Sequence, residues 1–266
     1  MPDFLTAEER PLVDEFLAKG LVRVAVEDRA ALERIQRTLA DRAAARLGAA
    51  APADPRAFLD GIHARVARAT LNDLRLGLLD DLHAEPWFRA AYFALARRAL
   101  ETLVGNELVM QRRIGLSIQL PHDDSSLLPI HSDVWSGDSP YEVVLWVPYV
   151  DCYRTKSMYV CDVAKDREVQ PRLFEHRSAE ELYRAVAADA PFLDVPFGQA
   201  VLFTQNVMHG NRVNEEPETR WSSNCRFKSA LSPYADKGIG EFFEPITLRP
   251  ATRWGLRYRL PPGRDD

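Results

Sequence analysis

The chain has 266 residues, 46% of them hydrophobic and 27% charged, enough to bury one sizeable core. No apolar run approaches the roughly 20 residues that span a bilayer, which argues against a membrane protein. A net charge of −5 with scattered basic residues argues against nucleic-acid binding, and three unpaired-looking cysteines (Cys152, Cys161, Cys225) without CxxC spacing argue against a disulfide framework or structural zinc site. Those thiols are expected buried and reduced. The segment Met1 to Arg10 is acidic and lacks the apolar core of a signal peptide, so a cytoplasmic protein is expected.

Leu21 to Val26 alternates weakly and predicts an edge strand. Leu32, Ile35, Leu39, Ala43 and Leu47 recur at three- and four-residue spacing and predict a helix that Gly48 stops. A low-complexity linker follows from Gly48 to Pro55. A second helix is predicted with Phe58, Ile62, Val66 and Ala69 on one face. A third is predicted from Pro86 through Phe88, Tyr92, Leu95, Ala99 and Leu103 to Gly105-Asn106. These stripes read as core faces packing on a sheet.

The texture changes after Gly105. Short β-rich runs are predicted at Ile114 to Leu120, Glu142 to Val150, Met158 to Val160, Gly198 to Phe203 and Trp221 to Ala230. Turn signals separate them, and Ser178-Ala-Glu-Glu181 reads as a capping box opening a short helix that closes before Pro191. The pattern predicts an α+β protein: an antiparallel sandwich or barrel with an N-terminal helical layer. It is read as one domain over 1–266, with a helical flank at 1–106, a β core at 107–266 and a helical insertion near 165–190.

A sandwich hosts many functions, so the site must carry the argument. Two His-x-Asp triplets occur, His122-Asp-Asp124 and His131-Ser-Asp133. Apolar residues flank the second, Leu127-Leu-Pro-Ile130 before and Val134-Trp135 after, which places it on or at the end of a buried strand. There residues i and i+2 share a face, so an imidazole and a carboxylate converge. The first sits in a polar stretch and reads as a loop; His122 and Asp124 remain the alternative pair. His209, after the strand Gln199 to Phe203, is the third expected ligand. Two histidines and one carboxylate leave several positions open on a metal, which suits Fe(II) better than catalytic zinc.

The next strand adds Arg220 and Ser222 on one face, with Arg226 and Lys228 further along it. An arginine projecting inward needs an anion, and a carboxylate fits its fork.

His131-x-Asp133, the distant His209 and Arg220-x-Ser222 resemble the Fe(II)/2-oxoglutarate dioxygenases of the double-stranded β-helix (jelly-roll, cupin-like) fold. The stretch Gln119 to Pro140, with Asp151 to Met158, is similar to the StrG-like oxygenases of carbohydrate and aminoglycoside gene clusters, distant relatives of phytanoyl-CoA dioxygenase. The resemblance covers Ile114 to Tyr234. It implies Fe(II) held by His131, Asp133 and His209, with 2-oxoglutarate as cosubstrate anchored by Arg220 and Ser222, aided by Arg226, Thr155 and Lys156. With O2 the site would oxidise an unactivated C–H bond by hydroxylation or oxidative cyclisation. A carboxylate at position 133, where a halogenase has a small residue, favours oxygenation over halogenation.

The expected substrate is a small molecule, a carbohydrate, amino sugar or aminocyclitol. Trp135, Asp138 and Tyr141 are the expected substrate contacts, with 135–141 and 161–191 as walls or lid. Asp151, Asp162 and Glu142 are further partners for an amino group. The competing class is a non-oxidative, cupin-like metal protein, a sugar isomerase or binding protein.

Overall fold

The computed structural model describes residues 4–260, so Met1 to Asp3 of the acidic amino terminus and the last six positions of the 1–266 span lie outside the described residues. A helical layer comes first: α1 (Arg10–Lys19), α2 (Arg29–Arg46), α3 (Pro55–Asp60), α4 (Arg68–His83), α5 (Phe88–Ala94) and α6 (Arg97–Val104). One strand interrupts it, β1 (Leu21–Ala25). The strands β2 (Leu108–Gln111), β3 (Gly115–Gln119), β4 (Val143–Pro148), β5 (Tyr159–Val160), β6 (Gln199–Thr204), β7 (His209–Gly210), β8 (Arg220–Ser229) and β9 (Phe243–Pro245) follow. The helices α7 (Val163–Val169) and α8 (Ala179–Val186) stand between β5 and β6, and α9 (Pro250–Gly255) closes the described chain.

The larger sheet runs β1-β6-β4-β8-β2-β9, with β3 also paired to β8, and β5 and β7 form a second small sheet. All these strand pairs are antiparallel. The chain is therefore a mixed helix and antiparallel-sheet protein. No described helix is long and apolar enough to cross a membrane. The three cysteines are buried and free.

Local chemistry explains most elements. The α2 stripe is the expected one: Leu32, Ile35, Leu39 and Ala43 are buried, and Asp28 caps the helix by accepting from the Ala31 amide. Asp54 does the same for Ala57 in α3, ahead of Pro55. Ser178 caps α8 by accepting from the Glu181 amide, while the Glu181 carboxylate reaches back to the Arg177 amide rather than that of Ser178. β1 lies at the sheet edge, paired only to β6 among the described strands.

Two expected helices are broken. The face assigned to Phe58, Ile62, Val66 and Ala69 is split by Gly61, a single 3-10 turn at Ile62–Ala64, and an extended Ala67; Ala69 is exposed. Helix α4 then runs on its own stripe of Leu71, Leu74, Leu78 and Leu82. The third helix starts at Phe88, past Pro86, and breaks at Ala96, whose backbone leaves the helical region. The carboxylate of Glu27, from the β1–α2 junction, accepts from the Arg98 and Ala99 amides and so starts α6 anew. Strands β2 and β9, four and three residues long, are too short for an alternating pattern to announce them.

The helical layer covers one face of the larger sheet. Gln36 donates to the Tyr149 carbonyl at 2.6 Å, and the Trp221 indole donates to the Leu59 carbonyl at 2.8 Å. The fully buried Tyr92 hydroxyl lies 2.8 Å from the Leu145 carbonyl and 3.1 Å from that of Ser223, and donates between them. The opposite face of the sheet is left for a cavity. Tyr92→Phe removes that donor while keeping the ring, and is expected to lower unfolding free energy by about 1–2 kcal/mol in urea titration, with far-ultraviolet dichroism unchanged.

Candidate metal centre

Side chains at alternate positions of β8 share a face, and Arg220, Ser222, Asn224 and Arg226 all line one cavity of about 490 Å³. The register puts Ser117 opposite Ser222, and Val144 opposite both Arg226 and Phe203, so β3, β4 and β6 supply the same wall. His131, Asp133, His209 and Met158 close it from the second sheet and its approach. Helix α4 contributes Arg68, Leu71, Asn72 and Arg75.

Backbone pairing brings the two histidines together. The His131 amide donates to the His209 carbonyl at 3.0 Å, and the His209 amide donates to the His131 carbonyl at 2.8 Å. Such a reciprocal pair is the closed unit of an antiparallel ladder, and its side chains lie on one face. The ring centroids are 4.4 Å apart. Gly210 permits the approach, because a Cβ there would stand 2.8 Å from the Leu128 carbonyl.

Both imidazoles are held the same way. His131 Nδ1 lies 2.7 Å from the Pro129 carbonyl and His209 Nδ1 lies 2.9 Å from the Val207 carbonyl. A carbonyl can only accept, so each Nδ1 carries a proton, which leaves the Nε2 atom of each ring as the one available to a metal. This is the outer support usual for metal-binding histidines. Asp133 Oδ1 lies 3.3 Å from His131 Nε2 and 3.9 Å from His209 Nε2. One donor atom from each of the three residues falls within 4.8 Å of the others, and among the described residues no other such group of histidine, cysteine and acidic side chains occurs.

Electrostatics favour a cation here. Burial opposes ionisation of Asp133, yet the His131 hydrogen bond and the charge of Arg226 outweigh it and hold the carboxyl well below the usual range. Burial pushes His209 down to about 4, and His131 beside it adds to the shift, so its imidazole is neutral at ordinary pH. Burial also disfavours the charged His131, but its hydrogen bond to Asp133 raises it above the ordinary value. Arg226 Nη2 takes the second Asp133 oxygen at 3.0 Å, and its Nε donates to Gln205 at 3.0 Å, which orients the carboxylate.

Arg220 differs from Arg226. It is buried, donates to the Ser157 carbonyl at 3.3 Å and Ser117 Oγ at 2.9 Å, and forms no ion pair among the described residues. Its Nε and the Ser222 hydroxyl have no hydrogen-bond partner. Burial lowers its pKa only to about 10, so the charge persists at neutral pH. A buried, uncompensated guanidinium beside a free hydroxyl fits an anion from the cavity.

Other residues singled out in the sequence fall elsewhere. His131 is an isolated bridge residue and Asp133 opens a 3-10 turn, Asp133–Ser136, so the triplet straddles a strand end. Of its apolar flanks Ile130 is core, whereas Leu127 and Leu128 are exposed and line the cavity. His122 lies in a loop with a left-handed backbone and is exposed, and neither it nor Asp124 joins the metal-type cluster. Lys156 is buried but points to Asp60 at 2.7 Å and Glu218 at 3.5 Å, and Thr155 donates to Glu216. Neither lines the cavity.

Trp135 is exposed against Gln170, Tyr141 is exposed, and Asp138 is buried in an ion pair with Lys237 at 2.6 Å. These three also stand outside the cavity lining. The wall residues unforeseen in the sequence, Arg68, Asn72 and Arg75, sit at i, i+4 and i+7 on α4. That spacing was visible, but nothing local marks a polar helical stripe as cavity-facing rather than solvated.

No protein-family model matches the chain, and no curated protein matches its sequence. Solved structures share its fold. EctD from S. alaskensis, with 2-oxoglutarate and 5-hydroxyectoine, is 17% identical over 86% of this chain and 78% of its own, with a TM-score of 0.55. AviO1 from Streptomyces viridochromogenes is 16% identical over 87% and 99%, TM-score 0.54. HygX from Streptomyces hygroscopicus, with nickel and 2-oxoglutarate bound, is 15% identical over 85% and 88%, TM-score 0.51. The likeness is one of fold.

Lys156→Ala strands two carboxylates near a buried site and is expected to destabilise the protein by about 1–3 kcal/mol, less than a fully buried pair because Glu218 is partly hydrated. Nickel affinity measured by calorimetry should stay within about twofold of the parent, since Lys156 touches none of His131, Asp133 and His209.

Proposed function

We propose that the protein is an Fe(II)- and 2-oxoglutarate-dependent oxygenase acting on a C–H bond of a small molecule. The observation that carries this reading is the pairing, in one cavity, of a two-histidine, one-carboxylate cluster with a buried arginine that no acid neutralises. The donor set fits iron: two imidazole Nε2 atoms and an ionised carboxylate, all supported from behind. The fold neighbours described with 2-oxoglutarate, and one of them with nickel, support the assignment. The same likeness supports a double-stranded β-helix core within a single oxygenase domain.

His131, Asp133 and His209 would hold the metal, and Arg220 with Ser222 would take the far carboxylate of 2-oxoglutarate. The metal, cosubstrate and O2 together supply an oxidant strong enough for an unactivated C–H bond. The chain's own task is placement. Arg226 fixes the Asp133 carboxylate, the two backbone carbonyls fix the imidazole tautomers, and Ser117 and the Ser157 carbonyl fix the Arg220 fork. Val144, Trp146, Met158 and Phe203 give that part of the cavity apolar walls. Asp133 occupies the third ligand position, which favours oxygenation, as hydroxylation or oxidative ring closure, over halogenation.

A StrG-like role on a carbohydrate, in the manner the sequence resemblance implies, fits a cavity of this size. A non-oxidative cupin-like isomerase or binding protein would use the same metal cluster but would leave Arg220 and Ser222 without a purpose.

The test is anaerobic addition of Fe(II) and 2-oxoglutarate to metal-free protein, followed by the visible charge-transfer band of the chelate. His131→Ala and His209→Ala should each abolish the band. Arg220→Ala should keep it but raise the 2-oxoglutarate requirement about 10–100-fold, the size of a lost charge-assisted contact. A folded parent with no band, and no succinate on admitting air, refutes the assignment.

A further inference from the structure

The cavity carries a charge that its proposed metal and cosubstrate do not explain. Its lining includes four arginines, Arg68, Arg75, Arg220 and Arg226, against one carboxylate, Asp133. Asp133 is already committed to His131, His209 and Arg226. Arg68 lies 3.7 Å from the buried Asp123, and Arg226 is shared between Asp133 and Asp138. Arg220 answers to the cosubstrate under the reading above. Arg75 is left over.

Arg75 is half-buried on α4 and forms no ion pair among the described residues. Its contacts are all neutral acceptors: Asn72 Oδ1 at 3.2 Å from Nε and 2.7 Å from Nη2, and the Leu116 carbonyl at 3.4 Å from Nη1. These hold the guanidinium plane in place, use three of its five N–H groups and leave its charge uncompensated. The Ser126 hydroxyl, in the same lining, is buried without a hydrogen-bond partner. The chain as a whole is acidic, with a net charge of −5, so this is a local concentration of cations rather than a basic surface.

None of the acids expected to receive an ammonium group lines the cavity. Asp138 pairs with Lys237, Glu142 accepts from the Ser139 amide, Asp151 accepts from the Phe197 amide, and Asp162 caps α7. A cationic substrate would meet Arg75 and find no carboxylate to neutralise it.

We propose that the compound oxidised at this site bears an anionic group, a carboxylate or a phosphate, that is gripped by Arg75 from the α4 wall. This rests on the oxygenase reading and replaces the amino-sugar expectation with an acid or phosphate ester. Arg75 determines specificity, whereas Arg220 serves the cosubstrate; the two unpaired cations thus divide the two anions between them.

The experiment is calorimetric titration of the full chain loaded with nickel and 2-oxoglutarate. Glucose 6-phosphate, glucuronate, glucose and glucosamine are the probes, on the parent, Arg75→Ala and Arg75→Lys. At least one anion should bind more tightly than glucose and glucosamine, and whether phosphate or uronate leads tells the two anion sources apart. Arg75→Ala should weaken that anion about 10–100-fold and Arg75→Lys should recover part of it, with nickel and 2-oxoglutarate loading unchanged. Tighter binding of glucosamine than of both anions, no difference among the four probes, or an anion affinity indifferent to Arg75→Ala overturns the proposal. A parent that takes up nickel but not 2-oxoglutarate defeats the oxygenase reading separately. The Arg75 comparison is then read on nickel-loaded Arg220→Ala protein, where Arg75 is the remaining unpaired cation of the wall.

Discussion

Two backbone hydrogen bonds between His131 and His209 join segments almost eighty residues apart in the chain, and the metal-type cluster exists because of them. Each histidine amide donates to the other's carbonyl, which fixes the two Cα positions and sends both side chains to one side. The carbonyl two residues upstream of each then fixes ring and tautomer. Asp133 needs only to follow His131 by two residues for its carboxylate to fall between the rings. Gly210 is part of the same constraint, since any side chain there would push the Leu128 segment away and open the pair.

Charge is distributed around that cluster with clear division of labour. On β8, Arg226 and Arg220 point to the same cavity from positions six residues apart. Arg226 faces Asp133 and is neutralised there. Arg220 has only a hydroxyl and a carbonyl, so its buried charge has no counter-ion among the described residues. Arg75 repeats the pattern from α4 with an amide and a carbonyl. Neutral acceptors orient a guanidinium without cancelling it, so all three arginines are positioned while two keep their charge uncompensated.

The helical layer makes this possible at a distance. It seals the other face of the sheet with polar as well as apolar contacts, among them Tyr92, Trp221 and Gln36. Lys156, buried with Asp60 and Glu218, ties α3 to the loop before β5 and so belongs to this scaffold rather than to the cavity. One helix crosses the division: α4 buries Leu71, Leu74, Leu78 and Leu82 while presenting Arg68, Asn72 and Arg75 to the cavity.

By itself the sequence determined the features that depend on near neighbours along the chain. The α2 face, the five β runs and the Arg220-x-Ser222 alternation follow from periods of 3.6 or 2 residues, and the structure keeps them. Tertiary structure decided whatever required a partner far away. Glu27 broke the third expected helix by capping α6 across 71 residues, and Asp60 took Lys156 from 96 residues away. Trp135, Asp138 and Tyr141 looked suited to a ligand but meet solvent or Lys237, while an ordinary-looking stripe on α4 meets the cavity. A residue's type and spacing set what it can bind; which side of a packed sheet it faces is settled only when distant segments compete for the same surface.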